Sequence, residues 1–103
     1  MFAAVAVTPV HHVASEAIAL QASYFAHREA CRVCDRVRKV RETQTVVIDM
    51  SHVREATTSA FAKLVLLRRE LRKNGRDLVI TGLHDRALRL YEISRLDSVL
   101  PHR

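Results

Sequence analysis

The chain has 103 residues, 49% of them hydrophobic, with only two glycines and two prolines. This length suits one domain with a single core, and the composition excludes a disordered or low-complexity chain. The 17 basic and 11 acidic residues give a formal charge of +6, but aromatic residues are scarce and tryptophan is absent. Proteins that stack bases interleave aromatic and basic side chains, so we interpret the charge mainly as solvated helix faces and do not expect nucleic acid as the main partner.

One strand is predicted before the first helix, and the segment that follows it has a pattern that fits either a strand or a helix. Residues 2–7 are apolar and stop before Thr8-Pro9, where proline removes a donor from the ladder. They lack the basic start of a signal peptide and the length of a membrane span. Residues 13–20 alternate as an edge strand does, although their alanine and glutamate content also suits a helix. The alternating positions are Val13, Ser15, Ala17 and Ala19.

A first helix is predicted from about Ala22 to about Arg41, because apolar residues recur every three or four positions. The stripe consists of Ala22, Phe25, Ala26, Ala30, Val33, Val37 and Val40. The same helix places His27, Cys31 and Cys34 on one face. These side chain types bind zinc, but a tetrahedral site needs a fourth ligand, so we interpret the cysteines as small buried side chains and predict no metal. Two cysteines make no disulfide framework, which favours a cytoplasmic location.

The central stretch runs from Val46 to Gly75. Its first residues, Val46-Val47-Ile48, are β-branched and predict a strand covered on both faces. Asp49 ends this strand, where it can accept hydrogen bonds from the following turn or serve a site at the sheet edge. A second helix is predicted from Thr58 to Asn74, stopped by Gly75. Its apolar positions are Ala60, Phe61, Leu64, Val65, Leu67 and Leu71.

Hydroxyl side chains cluster where the second helix begins, at Thr57-Thr58-Ser59. Such side chains accept hydrogen bonds from the free N–H groups of a first helical turn. The helix dipole is positive there, so the same place favours a phosphate group.

The remaining elements are a strand at residues 78–80, a third helix opening at His84-Asp85, and a short last strand at Val99-Leu100. The inner side of the third helix is expected to include Leu88, Tyr91 and Leu96. If residues 13–20 form a strand, the order is β-β-α-β-α-β-α. This order predicts an α/β domain with a mixed four- to five-stranded sheet flanked by helices, its later strands parallel.

These elements resemble the STAS domains (sulfate transporter and anti-sigma factor antagonist). In that family an apolar strand ends in Asp, and Asp-Ser-Ser/Thr-Gly then opens an amphipathic helix that ends in Gly before another apolar strand. Here the strand matches Val47-Ile48-Asp49-Met50-Ser51, the helix matches residues 64–75, and the next strand matches residues 78–80. Residues 87–96 resemble the family's last helix and the Gly-Leu pair that follows it in the family. At the motif this chain has Thr57 for Asp, Thr58 for the phosphorylated Ser, and Ala60 for Gly. In the family two strands precede the first helix, so the resemblance favours a strand rather than a helix at residues 13–20. It also implies a single STAS-like domain over residues 1–103.

The resemblance also implies a non-enzymatic regulatory domain that binds another protein through the turn and helix starting near Thr57. Partners of such domains include anti-sigma factors and the serine/threonine kinases that phosphorylate the hydroxyl at the helix start and release the complex. On this basis Thr58 is the candidate phosphoacceptor with Ser59 beside it, Asp49 and Thr57 support the turn, and Lys63 lies on the rim of the partner-binding surface. No cofactor is implied.

Other interpretations remain open. A degenerate family member would bind a partner or a small ligand constitutively. A polyanion-binding domain would use the basic cluster in residues 32–41 together with Arg68, Arg69, Arg72 and Lys73. A homodimer could form through the apolar amino-terminal edge strand. An enzyme is the weakest interpretation, because the sequence has no P-loop, dinucleotide fingerprint, nucleophile elbow or zinc-finger spacing.

Overall fold

A computed structural model describes residues 15–39 and 44–103. The strand predicted at residues 2–7, which would make the sheet mixed and offer a dimer edge, lies outside these ranges, as does the predicted end of the first helix. In chain order the elements are β1 (Ser15–Ala19), β2 (Tyr24–Phe25), α1 (His27–Lys39), β3 (Thr45–Asp49), β4 (Glu55–Ala56), α2 (Thr58–Lys73), β5 (Asp77–Thr81), α3 (Asp85–Ile93) and a 3₁₀ turn (Leu96–Ser98).

The main sheet has the order β1-β3-β5, and both pairings are parallel. Val47 of β3 lies opposite Ala17 on one side and Val79 on the other. The prediction that the later strands are parallel is therefore confirmed, and residues 15–19 adopt the strand rather than the helix that their composition left open. β2 and β4 form a separate two-stranded parallel ladder.

Burial along the central strands alternates. Val46 and Ile48 of β3 are buried, as are Leu78 and Ile80 of β5, while Val47 and its neighbours on the opposite face are only partly covered. In the described part of the chain the two faces of these strands are thus covered unequally. For β3 this differs from the prediction, because its β-branched run predicts two fully covered faces. The deeply buried face packs against the helices and forms the core.

The first helix begins later than the periodicity predicts. Tyr24 and Phe25 lie within the predicted helix but pair with β4, and the N–H of Thr57 donates to the carbonyl of Phe25 at 3.0 Å. Phe25 is 1% exposed and its ring meets that of Phe61 edge-on. A long-range backbone ladder and a buried ring therefore override the local helical pattern. From His27 onward the predicted stripe is buried at Ala30, Val33 and Val37.

The second helix matches its prediction closely. Its inner face buries Ala60, Phe61, Leu64, Leu67 and Leu71. At its end the N–H of Arg76 donates to the carbonyl of Leu71 and the N–H of Gly75 to that of Arg72, at 2.9 and 3.2 Å. This is a Schellman motif, and Gly75 supplies the positive φ of 76° that it requires.

The carboxyl-terminal segment departs from its prediction. Val99 and Leu100 do not form a strand, because the N–H of Leu100 donates back to the carbonyl of Leu96 at 2.7 Å. The pairing occurs two residues later, where His102 forms a parallel bridge with Ile80. Leu100 is fully buried, and its carbonyl accepts a hydrogen bond of 2.8 Å from the hydroxyl of Tyr91. None of the helices in the described ranges is long and apolar enough to cross a membrane.

Candidate functional site

Thr57 caps the second helix. Its backbone is extended, with φ −105° and ψ 156°, and its Oγ1 accepts a hydrogen bond of 3.2 Å from the N–H of Ala60. This is the arrangement expected when a hydroxyl residue stands just before the first helical residue. The first turn of α2 contains no acidic residue, so its positive end is not neutralised by its own side chains.

The next two hydroxyls lie at the surface. Thr58 and Ser59 are both exposed. The Oγ of Ser59 lies 3.2 Å from the Oγ1 of Thr57, whereas the hydroxyl of Thr58 has no hydrogen-bond partner among the residues that the structure describes. Thr58 therefore presents the freer hydroxyl at the helix start.

Lys63 lies one turn after Ser59 on α2 and is half-buried. Across from it on α1 lies Cys34, which is 3% exposed. Burial raises the pKa of the Cys34 thiol, while the positive charges of Arg38 and Lys63 oppose this effect. Lys63 is therefore close enough to α1 for its charge to act on Cys34, one turn along α2 from Ser59.

Asp49 supports the turn that leads toward this helix. Its Oδ1 accepts a hydrogen bond of 2.9 Å from the N–H of Ser51, and the N–H and hydroxyl of Ser51 together lower the pKa of the Asp49 carboxyl. The carbonyl of Ser51 in turn contacts the Nε2 of His84 at 2.8 Å. Asp49 at one end of the loop and Thr57 at the other thus hold the connection between β3 and α2.

The connection is also fixed in its middle. Met50 and Val53 are completely buried, and the N–H groups of Arg54 and Glu55 donate to the carbonyl of Ser23 at 2.8 and 3.1 Å. The sequence did not predict this short ladder between β2 and β4, because strands of two residues are too short to show a hydrophobic period. The isolated apolar residue Val53 is the only local signal near it. The start of α2 therefore stands on a rigid support rather than on a free loop.

The chain matches a known protein family along most of its length. The family model of the STAS domain matches residues 9–103. The chain belongs to the STAS family. Among solved structures it is similar to a sulfate transporter family protein from Wolinella succinogenes, with a TM-score of 0.72 and 18% identity over 85% of this chain and 72% of that one. At this identity the likeness shows the shared fold, and no curated protein gives a significant sequence match.

The predicted resemblance and the STAS-like α/β fold are thus confirmed. STAS domains act as binding and regulatory domains that mediate protein interactions. In this STAS domain the motif positions coincide with the capped helix start, because Thr57 is the N-cap and Thr58 the first helical residue.

Both cysteines of the STAS domain lie on α1. The Sγ of Cys31 is 3.4 Å from the Nε2 of His27, and both cysteines are free. No group of three or more histidine, cysteine or acidic side chains in the described ranges is arranged to hold a metal ion.

Several basic residues of the polyanion hypothesis are engaged within the domain. Arg68 donates to Asp77 at 2.8 Å and to the carbonyl of Val99 at 3.2 Å. Arg38 pairs with Glu70 at 3.2 Å. These contacts hold helices to their neighbours and reduce the charge available to an external polyanion.

Proposed function

We propose that this STAS domain is a non-enzymatic regulator that binds another protein through the outer side of the second helix. We name this side the helix-start surface, formed by Thr58, Ser59, Ala62 and Leu66, all of which are exposed. Leu66 is a large apolar side chain that remains 57% exposed. The proposal is carried by this combination, because a free hydroxyl on a capped helix end continues directly into apolar surface that a protein partner can cover.

Phosphorylation of Thr58 is the proposed switch. A kinase would transfer the terminal phosphoryl group of a nucleoside triphosphate to the Thr58 hydroxyl, which loses its proton while the nucleoside diphosphate leaves. The product carries close to two negative charges at the positive end of α2, which is favourable for the helix itself. A partner whose footprint is apolar or acidic would be repelled by the same charge. We therefore propose a serine/threonine kinase as the modifying partner and a protein of the anti-sigma factor type as the binding partner.

A constitutive binder is the second form of this proposal. The family motif carries an acidic residue where this chain has Thr57, and the Thr57 hydroxyl is already engaged as the helix cap. In this form the helix-start surface binds its partner without modification of Thr58.

The test begins with recovery of the tagged protein from its own host and identification by mass spectrometry of the proteins bound to it. Affinity for the recovered partner is then measured for the wild type, Thr58→Asp and Thr58→Ala. We expect Thr58→Asp to weaken binding and Thr58→Ala to preserve it. Ser98→Asp is the matched control, since Ser98 is an exposed hydroxyl residue outside the helix-start surface.

The affinities of these variants distinguish the switched form of the proposal from the constitutive form. Equal binding by the two Thr58 variants would remove the switch and leave the constitutive form. Leu66→Ala should weaken partner binding more than the substitution of alanine for an exposed residue outside the helix-start surface. Equal losses of affinity would exclude the helix-start surface as the binding site. Phosphopeptide mapping after treatment with a recovered kinase distinguishes Thr58 from Ser59 as the acceptor.

We propose a cytoplasmic location, since the free thiols Cys31 and Cys34 suit a reducing compartment. A homodimer through residues 2–7 and the extent of the single domain over residues 1–103 remain predictions.

A further inference from the structure

A second surface lies between β4 and α3. It is a cleft of about 570 Å³, and residues of the helix-start surface do not line it. Its lining consists of Ser23, Tyr24, Arg54, Glu55, Asp85, Arg86 and Arg89. The pairing of β2 with β4 and the packing of α3 against β4 bring these residues together from three separate parts of the chain.

Three arginines dominate the charge of this cleft. The Nε of Arg54 lies 3.5 Å from Asp85, and the Nη1 of Arg86 lies 2.9 Å from Glu55. Each ion pair joins α3 to the β4 side and uses only part of a guanidinium, so further N–H donors on both side chains remain available. These two arginine side chains are 73% and 81% exposed.

Arg89 has no ion pair or hydrogen bond with any residue in the described ranges. It lies one turn beyond Arg86 on the exposed face of α3. The cleft therefore holds one uncompensated positive charge in addition to the partly used guanidiniums. Arginine forks match carboxylate groups, which they can bind through two parallel hydrogen bonds.

Apolar groups flank these charges. Tyr24 is 53% exposed in the cleft, and Ile93 is 70% exposed one turn beyond Arg89 on α3. They are two of the four large hydrophobic side chains that are exposed in the described chain. A compact oxyanion would not use them, whereas a polypeptide carrying both acidic and apolar side chains would contact both kinds of group. Tyrosine and arginine are also the residue types that contribute most at protein interfaces.

We infer that this surface, named the β4–α3 surface and formed by Tyr24, Arg54, Arg86, Arg89 and Ile93, binds an acidic segment of a protein partner. The arginines receive carboxylates of the segment, and the two apolar side chains contact an apolar residue beside them. This binding is independent of the helix-start surface and of any phosphate on Thr58.

The test is a selection of short random peptides displayed on phage against the whole protein, with peptides that also bind Arg86→Glu/Arg89→Glu protein removed. Enriched peptides are expected to be acidic and to carry an apolar residue. Their affinity should fall about tenfold or more with Arg89→Glu, because the substitution places like charges together. Arg69→Glu is the matched control, since Arg69 is an exposed arginine of α2 outside the cleft.

Thr58→Asp should leave peptide binding unchanged, which separates this inference from the proposed switch. Failure to enrich any peptide, or enrichment of peptides without acidic residues, would overturn the inference. Equal losses of peptide affinity with Arg69→Glu and Arg89→Glu would show that binding depends on the overall charge of the protein rather than on the β4–α3 surface. Displacement of the selected peptides by millimolar inorganic phosphate would show a small-anion site instead. Circular dichroism and thermal unfolding check that each variant is folded.

Discussion

Gly82, in the loop after β5, lies against the turn after β3. Its φ is +78°, and a Cβ atom at this position would lie 2.9 Å from the backbone nitrogen of Ser51 and 3.0 Å from the Oδ1 of Asp49. Gly75 has nearly the same φ of +76°, but nothing lies within 4 Å of its added Cβ. Alanine substitutions at the two glycines therefore distinguish two energetic costs. Gly75→Ala measures the cost of a left-handed backbone alone, and Gly82→Ala adds the cost of the contact between the new methyl group and the neighbouring turn.

We expect Gly82→Ala to lower the free energy of unfolding by about 2 kcal/mol, against about 1 kcal/mol for Gly75→Ala. The additional loss arises because the turn held by Asp49 must move away from the new methyl group. Urea unfolding of both variants measures the difference. Equal losses of unfolding free energy in the two variants would mean that the turn after β3 moves away from the methyl group without loss of stability.

Arg95 is a non-glycine residue that also has a positive φ. It follows α3 with φ 54° and ψ 47°, in the left-handed region, where the family pattern has glycine. We expect Arg95→Gly to stabilise the protein by up to about 1 kcal/mol, because relief of the backbone strain exceeds the added entropy of the unfolded chain. Thermal unfolding tests this, with Glu92→Gly inside α3 as the control that should destabilise. A loss of stability in Arg95→Gly would contradict the interpretation that the backbone of Arg95 is strained.

At the scale of elements, α2 is defined by its two ends as much as by its apolar face. Thr57 satisfies an N–H group at the start, and the Schellman motif at Gly75 satisfies carbonyls at the end. Both ends were predictable, because hydroxyl residues before an apolar stripe and glycine after it are local signals. The start of α1 was not predictable in this way, since the pairing of Phe25 with Ala56 depends on a strand far along the chain.

We expect Thr57→Ala to lower the free energy of unfolding by about 1 kcal/mol through loss of the cap. Thr57→Asp should preserve or raise stability, because a carboxylate caps equally well and interacts favourably with the helix dipole. Thr58→Ala is the control and should change stability little, since the Thr58 hydroxyl has no partner in the described ranges. Urea unfolding compares the three variants, and a cost of Thr58→Ala equal to that of Thr57→Ala would contradict the assignment of the cap.

At the scale of the whole molecule, ion pairs connect the helices to one another and to the sheet. Arg38 joins α1 to Glu70 of α2, and Arg68 joins α2 to Asp77 at the start of β5. The side chain of Arg68 is only 13% exposed, whereas the α1–α2 pair is half exposed at both partners. The Arg68 pair should therefore matter more to stability than the Arg38 pair, which solvent screens.

Stability should fall in acid through Asp77. Partial burial acts to raise the pKa of Asp77, but hydrogen bonds from Arg68 and the N–H of Leu78, with the charge of Arg72, outweigh it and lower the pKa below its ordinary value. A carboxyl with a lowered pKa contributes stability that is complete above its unfolded pKa and disappears as the pH falls through its folded pKa.

We expect Asp77→Asn to cost about 1 kcal/mol near neutral pH, a modest value because the carboxylate is about one third exposed to solvent. The difference from the wild type should shrink below about pH 4. Urea unfolding across pH measures it, with Asp35→Asn as the control at a more exposed pair. A difference that stayed constant with pH would contradict the role of the carboxylate.

The net charge leads to a last prediction. We expect binding to duplex DNA only at low salt and its loss near about 0.15 M salt, where exposed charges are screened beyond about 8 Å. Fluorescence anisotropy over a salt series measures this, with Arg69→Glu as a variant of reduced charge. Tight binding that persisted at this salt would favour the polyanion interpretation instead.

The sequence by itself determined the parts of this STAS domain whose signals are local. The β-branched run of β3, the apolar stripe of α2 and the hydroxyls of Thr57 to Ser59 each lie within a few residues, and a period or a cap is visible there without the fold. Only the tertiary structure decided the ladder between β2 and β4, the bridge of His102 to Ile80, and the meeting of Arg54 with α3 in one cleft. Those features join residues that are distant in the chain through single bonds or pairs, and such short pairings leave no periodic pattern from which they could be predicted.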